Sequence, residues 1–204
     1  MNDVESRHYE SVTDWLRVRF SVITHPVARQ LCKWGIHPNA VTVVGFLLTA
    51  LVAGVIASGQ PVLGGFLLML ASSVDAFDGA LARVSGQKSR FGAFLDSTLD
   101  RISEGVLLFG LLVWLLPSGN ALEIYLIFAS LLGSLMVSYT RARAEGVGYA
   151  CKKGILTRVP RVVLLGLGLI FRAVRPMLIL LAVFSWITAL QRIFVVYRHA
   201  LDEP

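Results

Sequence analysis

Four aspartates stand at fixed intervals in an otherwise apolar part of the chain: Asp75, Asp78, Asp96 and Asp100. The first two are spaced i, i+3 and the last two i, i+4. On helices each pair shares a face, its carboxylates about 4.5 to 6 Å apart along the axis. The polar stretch from Ser85 to Ser89 would let the second helix fold back on the first, bringing all four carboxylates to one place. Left unpaired there, they would repel one another and resist desolvation at a cost on the order of several kcal/mol. A pair of divalent cations answers that charge. Hard oxygen ligands suit Mg²⁺ or Mn²⁺, and two ions roughly 3.5 to 4 Å apart are what phosphate-transfer sites use.

The residues between the aspartates narrow the chemistry. Gly79 and Ala82 lie on or near the aspartate face, where a large side chain would block a nucleotide, and Arg83 offers a fork of donors to phosphate oxygens. Gly92 precedes Asp96 by one helical turn. The pattern Asp75-x2-Asp78-Gly79-x2-Ala82-Arg83-x8-Gly92-x3-Asp96-x3-Asp100 resembles, at every fixed position, the signature of the CDP-alcohol phosphotransferase family of integral membrane enzymes. The resemblance implies that Asp75, Asp78 and Asp96 hold two metals, with Asp100 as a shared ligand and general base. It further implies that Asp78, Gly79, Ala82, Arg83 and Gly92 shape the CDP site. The Pro38-Asn39-x-x-Thr42 stretch would then lie beside the nucleotide, although Asn39 and Thr42 are equally placed to cap a helix.

A second basic set follows. Ser138-Tyr139-Thr140-Arg141-Ala142-Arg143-Ala144-Glu145 closes one apolar run, and Thr157-Arg158-Val159-Pro160-Arg161 opens the next. Any one of these arginines reads as a charge marking the cytoplasmic side of the membrane. Four at one depth suit an anionic substrate, since arginine forks match phosphate. Together with Arg90 to Ala93, Asp100 to Ser103, Ile187-Thr188 and Gln191-Arg192, these blocks look like bacterial phosphatidylinositol-phosphate synthases. That likeness assigns Ser138, Arg141, Arg143, Arg158, Arg161 and Arg192 to the phosphate of inositol 1-phosphate. The chain departs from the pattern at Arg141, where lysine is usual, and at Thr157 and Pro160, where acidic residues are usual. Glycerol 3-phosphate or another alcohol is the alternative acceptor. The implied reaction moves the phosphatidyl group of CDP-diacylglycerol to the acceptor and releases CMP.

The elements that must hold these residues are read from hydropathy. Of 204 residues 55% are hydrophobic, and the mean hydropathy is +0.69, far from soluble usage. Apolar runs suited to crossing a bilayer, for which about 20 residues are needed, occur near Pro38 to Ser58, Pro61 to Val84, Phe91 to Leu116, Ala121 to Tyr139, Arg158 to Phe171 and Pro176 to Tyr197. The fifth is short and must borrow Gly154 to Arg161 to reach across. The expected fold is all-α and polytopic, six transmembrane helices preceded by an amphipathic interfacial helix over Val12 to Trp34. Its divisions are residues 1–37 as the interfacial segment, 38–198 as the catalytic domain and 199–204 as a tail. Arg101 and Glu104, three apart, are expected to pair with each other, and Gly105, Gly110, Ser130, Gly133 and Ser134 to let helices approach closely.

The net charge of +6 is concentrated in the N-terminal segment, the turn after the second run and the stretch from Arg141 to Arg161, while Ser58 to Gln60 and Pro117 to Asn120 carry none. Positive-inside bias then puts both termini and the aspartates on the cytoplasmic side of the cell membrane, with Arg172 and Arg175 as a minor exception. Membrane lipids are the expected surroundings and no nucleic-acid-binding pattern accompanies the basic charge. A homodimer is what the resemblance implies. Cys32 and Cys151 suggest neither disulfide nor zinc site, and the polar first residues show no signal-peptide pattern. A divalent-cation transporter is the rival reading of intramembrane carboxylates, but Arg83 and the arginines nearby would repel its ion.

Overall fold

A computed structural model describes residues 29–84, 89–151 and 154–201; the side chains of 74–80 and 82–84 fall outside that description. Residues 29–33 are helical and lead through Gly35, in the left-handed region at φ 71°, to the first long helix. That helix, α1, spans Pro38–Ala57 with proline at its first position, where no amide donor is needed. His37 supplies the cap, its Nδ1 accepting from the Asn39 amide at 3.2 Å. The other helices are α2 (Pro61–Val84), α3 (Arg90–Leu115), α4 (Ala121–Gly146), α5 (Arg158–Ile170) and α6 (Val174–Leu201). Among the described residues there is no strand.

Three of the helices, Pro38–Ala57, Ala121–Gly146 and Val174–Leu201, are long and apolar enough to cross a membrane. Their outer faces fit lipid. On α4, Leu122, Tyr125, Phe128, Leu132, Leu135 and Tyr139 are all exposed and recur every three or four residues, a continuous apolar stripe. Several limits differ from expectation, among them α6, which begins at Val174 and runs four residues past Tyr197 to Leu201. α4 runs past Tyr139 to Gly146, because the Arg141–Glu145 pair at i, i+4 sustains a helix where hydropathy ends. α5 starts only at Arg158, so Gly154 to Thr157 add no helical length to it. Its 13 residues reach about 20 Å.

Each helix packs mainly on two others, and the contacts close a circle in the order α1, α2, α5, α6, α4, α3. Small residues set the closest approaches. A Cβ on Gly110 of α3 would lie 2.5 Å from the Ala53 carbonyl oxygen of α1, and one on Gly65 of α2 would lie 2.8 Å from the Gly166 carbonyl oxygen of α5. A Cβ on Gly133 would lie 3.0 to 3.3 Å from Ser185 and Trp186, as expected of a packing residue, whereas one on Gly105 would meet only Leu131 at 3.8 Å.

The main core draws on all six helices: Val52, Ala53 and Ile56, Leu68, Leu107, Leu108 and Leu111, Ile127, Leu165 and Leu169, Met177, Leu178 and Leu181. By their positions along alternating helices these occupy one half of the bundle. A smaller cluster at the other end joins Val41 and the fully buried Leu81 to Leu31, Cys32 and Ile36. The end of the proposed interfacial helix is therefore docked on the turn of α2 that carries the aspartate pattern, while Trp34 is exposed. The rest of Val12 to Trp34 lies outside the described residues.

Candidate active site at the polar end of the bundle

Opposite the main core, the start of α1, the end of α2, the start of α3, the end of α4, the start of α5 and the end of α6 meet. α2 stays helical through Val84, so Asp75, Asp78, Gly79, Ala82 and Arg83 do share one helix, as expected; their side chains lie outside the described residues. On α3, Asp96 and Asp100 are half-buried one turn apart, and both act electrostatically on Arg101. Two carboxylates presented together, with no nitrogen or sulfur donor in the pattern, fit a hard divalent cation. α1 packs against both α2 and α3 and so holds the two aspartate helices together.

The nucleotide candidates on α1 and α3 are in contact. Ser89 caps α3 by accepting from the Gly92 amide at 2.9 Å, and a Cβ on Gly92 would lie 2.9 Å from Asn39 Oδ1. The glycine therefore admits the Asn39 side chain. The N-cap of α1 is His37 and not Asn39, and the buried Thr42 donates to the Pro38 carbonyl at 3.2 Å.

The arginines are held by partners of two kinds. Arg158 Nη2 lies 2.8 Å from Asp100 Oδ1, with the two side chains 32% and 16% exposed. Arg161 is 3% exposed and grips Glu104 with two parallel bonds, Nε to Oε1 at 2.7 Å and Nη2 to Oε2 at 2.9 Å, while Nη1 donates to the Leu156 carbonyl at 3.0 Å. The expected Arg101–Glu104 pair is replaced by this one; Arg101 turns back to donate to the Ser97 carbonyl. Buried Arg192 donates to the carbonyl of Val137, next to Ser138, and lies within electrostatic reach of Arg141 and Arg161. Arg141 and Glu145 form an exposed pair at 2.8 Å, and Arg143 is exposed at the same end of α4.

The segment before α5 is fastened to α6. The Leu156 amide donates to Thr188 Oγ1 at 3.0 Å, and Gly154 lies so close that a Cβ there would be 2.7 Å from Thr188 Cγ2. Glu104 and Thr188 were not singled out as site residues from the sequence. The signal for Glu104 was its place one turn after Asp100 on the same face; that for Thr188 was its place in the Ile187-Thr188 block, which carried no assigned role.

Residues 35–197 match the protein family described as CDP-alcohol phosphatidyltransferase. The chain is 39% identical to the archaetidylinositol phosphate synthase of Pyrococcus horikoshii over 169 residues, covering 82% of this chain and 87% of that one. It is 38% identical to the phosphatidylinositol phosphate synthase of Mycobacterium tuberculosis over 204 residues, covering 92% of each. The crystal structure of the Mycobacterium tuberculosis enzyme with CDP-DAG bound superposes with a TM-score of 0.81 at 33% identity, over 86% of this chain and 94% of that one. The structure of that enzyme in complex with manganese and citrate superposes with a TM-score of 0.78 at 32% identity, over 85% and 88%.

Proposed function

The chain belongs to the CDP-alcohol phosphatidyltransferase family of integral membrane enzymes, and from that premise we propose that it transfers the phosphatidyl group of CDP-diacylglycerol to inositol 1-phosphate, releasing CMP. The observation that carries the reading is the contact between Arg158 and Asp100, which joins an anion-matching guanidinium to the last carboxylate of the aspartate pattern. An acceptor that carries a phosphate and presents a hydroxyl needs both groups within one site. Glycerol 3-phosphate meets the same charge requirement and is the second reading.

Asp75, Asp78, Asp96 and Asp100 would hold two divalent cations, Mg²⁺ or Mn²⁺, whose charge is what neutralises the diphosphate of the lipid substrate. Asp100 takes the proton from the acceptor hydroxyl. The oxygen so freed forms a bond to the phosphorus nearer the diacylglycerol, and the bond from that phosphorus to the CMP oxygen breaks, CMP leaving with the electron pair. Asn39, Thr42, Gly79, Ala82, Arg83 and Gly92 surround the CDP moiety. Ser138, Arg141, Arg143, Arg158 and Arg192 bind the acceptor phosphate, and Arg161, buried and held by Glu104, adds its charge from behind Arg158. The adjacency of Asn39 to Gly92, and of Arg192 to the Val137–Ser138 turn, supports these two groupings.

The six-span arrangement, the division at residues 37 and 198, the interfacial helix, a homodimer and a cytoplasmic active site with both termini on that side are parts of the same proposal. The docking of Leu31, Cys32 and Ile36 on the α1–α2 end supports the interfacial helix. Arg175, one of the two charges against the topology, pairs with Glu123 at 3.2 Å.

The test is CMP release from CDP-diacylglycerol by the purified full-length protein with Mg²⁺, against inositol 1-phosphate, glycerol 3-phosphate, free inositol and serine. We expect turnover with the phosphorylated alcohols, inositol 1-phosphate fastest. Preference for an unphosphorylated alcohol would reduce the arginines to markers of topology.

A further inference from the structure

In the circle of helices α3 and α5 stand opposite each other, three steps apart by either route. Two ion pairs nevertheless join them across the interior: Asp100 to Arg158 and Glu104 to Arg161. Each pair uses residues one turn apart on its own helix, so the contacts form two rungs between the same faces. The rungs differ in kind. Arg158 meets Asp100 through Nη2 and is about a third exposed, whereas Arg161 is 3% exposed and has three of its five N–H groups engaged by Glu104 and Leu156.

Beneath the second rung lies a small cavity, about 10 Å³, lined by Glu104, Ser130, Arg161 and Ser185 among apolar residues. That is room for about one water molecule. Arg161 is 3% exposed, so little water is at hand to replace a partner it loses, and a buried guanidinium stripped of its carboxylate is costly. Arg161 sits on the first turn of α5, and Leu156, which it also holds, is the residue that Thr188 anchors to α6. Anything that frees Arg161 loosens the turn that presents Arg158.

We propose that Glu104 is a positioning residue for acceptor binding: by fixing Arg161 in a two-bond grip it holds the first turn of α5, leaving Arg158 as the arginine that exchanges Asp100 for the acceptor phosphate. The inference rests on the acceptor reading above and adds a residue to it. Glu104 touches neither substrate, so its loss acts through Arg161 and Arg158 on the acceptor and leaves the CDP side alone.

The experiment compares wild type, Glu104→Gln, Glu104→Asp and the exchanged pair Glu104→Arg with Arg161→Glu, each as purified full-length protein. The measurements are KM for inositol 1-phosphate, KM for CDP-diacylglycerol, kcat and the thermal unfolding midpoint in detergent. Glu104→Gln is expected to raise the acceptor KM about tenfold with the CDP-diacylglycerol KM within twofold, and Glu104→Asp to recover most of the loss. The exchanged pair restores a rung while removing a cation from the first turn of α5, so it is expected to regain thermal stability and part of the acceptor affinity lost in Glu104→Gln. An acceptor KM unchanged in Glu104→Gln, or raised there no more than the CDP-diacylglycerol KM, would reduce the rung to a packing contact and overturn the inference alone. A wild type that turns over no phosphorylated alcohol would overturn it together with the acceptor reading. Should Glu104→Gln not fold, Glu104→Asp decides: its acceptor KM must rise more than its CDP-diacylglycerol KM.

Discussion

Arg158 on the first turn of α5 and Asp100, one turn after Asp96 on α3, are in contact, Nη2 to Oδ1 at 2.8 Å. The last carboxylate of one pattern and the first arginine of another, far apart in the chain, thus share one charge-assisted bond. In the proposed site, that bond would join the metal-holding and acceptor-holding halves.

Replacing Arg158 by alanine should therefore be felt on the acceptor side. The loss of a charge-assisted contact to phosphate is worth about 1.5 to 3 kcal/mol, a rise in acceptor KM of roughly tenfold to a hundredfold. Arg158→Lys should fall between, since it keeps the charge but not the fork. Steady-state kinetics with both substrates varied will check this; an equal rise in the CDP-diacylglycerol KM would place Arg158 elsewhere.

Asp75→Asn, Asp78→Asn and Asp96→Asn should each abolish turnover with the fold intact, because removing an anionic ligand weakens cation binding at the pattern. Titration of Mn²⁺ followed by its paramagnetic signal, alongside circular dichroism, separates lost metal from lost structure. Asp100→Asn should lower the rate while CDP-diacylglycerol still binds. Parallel loss of binding would make Asp100 chiefly a ligand.

Gly92→Ala tests the nucleotide side. The added Cβ would lie 2.9 Å from Asn39 Oδ1 and 3.0 Å from Ser89 Oγ, and the Asn39 amide is the group free to turn. A modest stability cost of about 1 kcal/mol is expected, with a larger rise in CDP-diacylglycerol KM as Asn39 is displaced. An unaltered KM would remove Asn39 from the nucleotide site.

Gly110→Ala probes packing at the other end. Its Cβ would meet the Ala53 carbonyl oxygen at 2.5 Å, and that backbone cannot swing aside as a side chain would. α1 and α3 must separate, at a cost of about 1 to 3 kcal/mol. Thermal unfolding in detergent should show it, with both KM values unchanged in the folded enzyme.

Helix starts were legible where hydropathy and punctuation agree: Pro38 and Pro61 begin helices where apolar runs begin. The end of α4 was missed because helix propensity outlasts hydropathy there. The aspartate pattern was legible from spacing, which reports which residues share a helix face. Spacing is silent on partners from another helix. Glu104 and Arg161 are 57 residues apart, so within-helix reasoning assigned Glu104 to its neighbour Arg101. The circular order of the helices was equally hidden, since α2 packs on α5 and not only on its neighbours in sequence.

The shortness of α5 reaches beyond the protein. At about 20 Å it is roughly a third shorter than the 30 Å of hydrocarbon in an ordinary bilayer. If α5 is one of six spans, the lipids along that flank face a wall too low for their tails, and hydrophobic matching thins the leaflets there. Membrane thickness then becomes a variable of the enzyme. In thicker bilayers the flank beside Arg158 is more strained, and activity in vesicles of increasing acyl-chain length should fall where detergent micelles, which adapt their thickness, would show no trend.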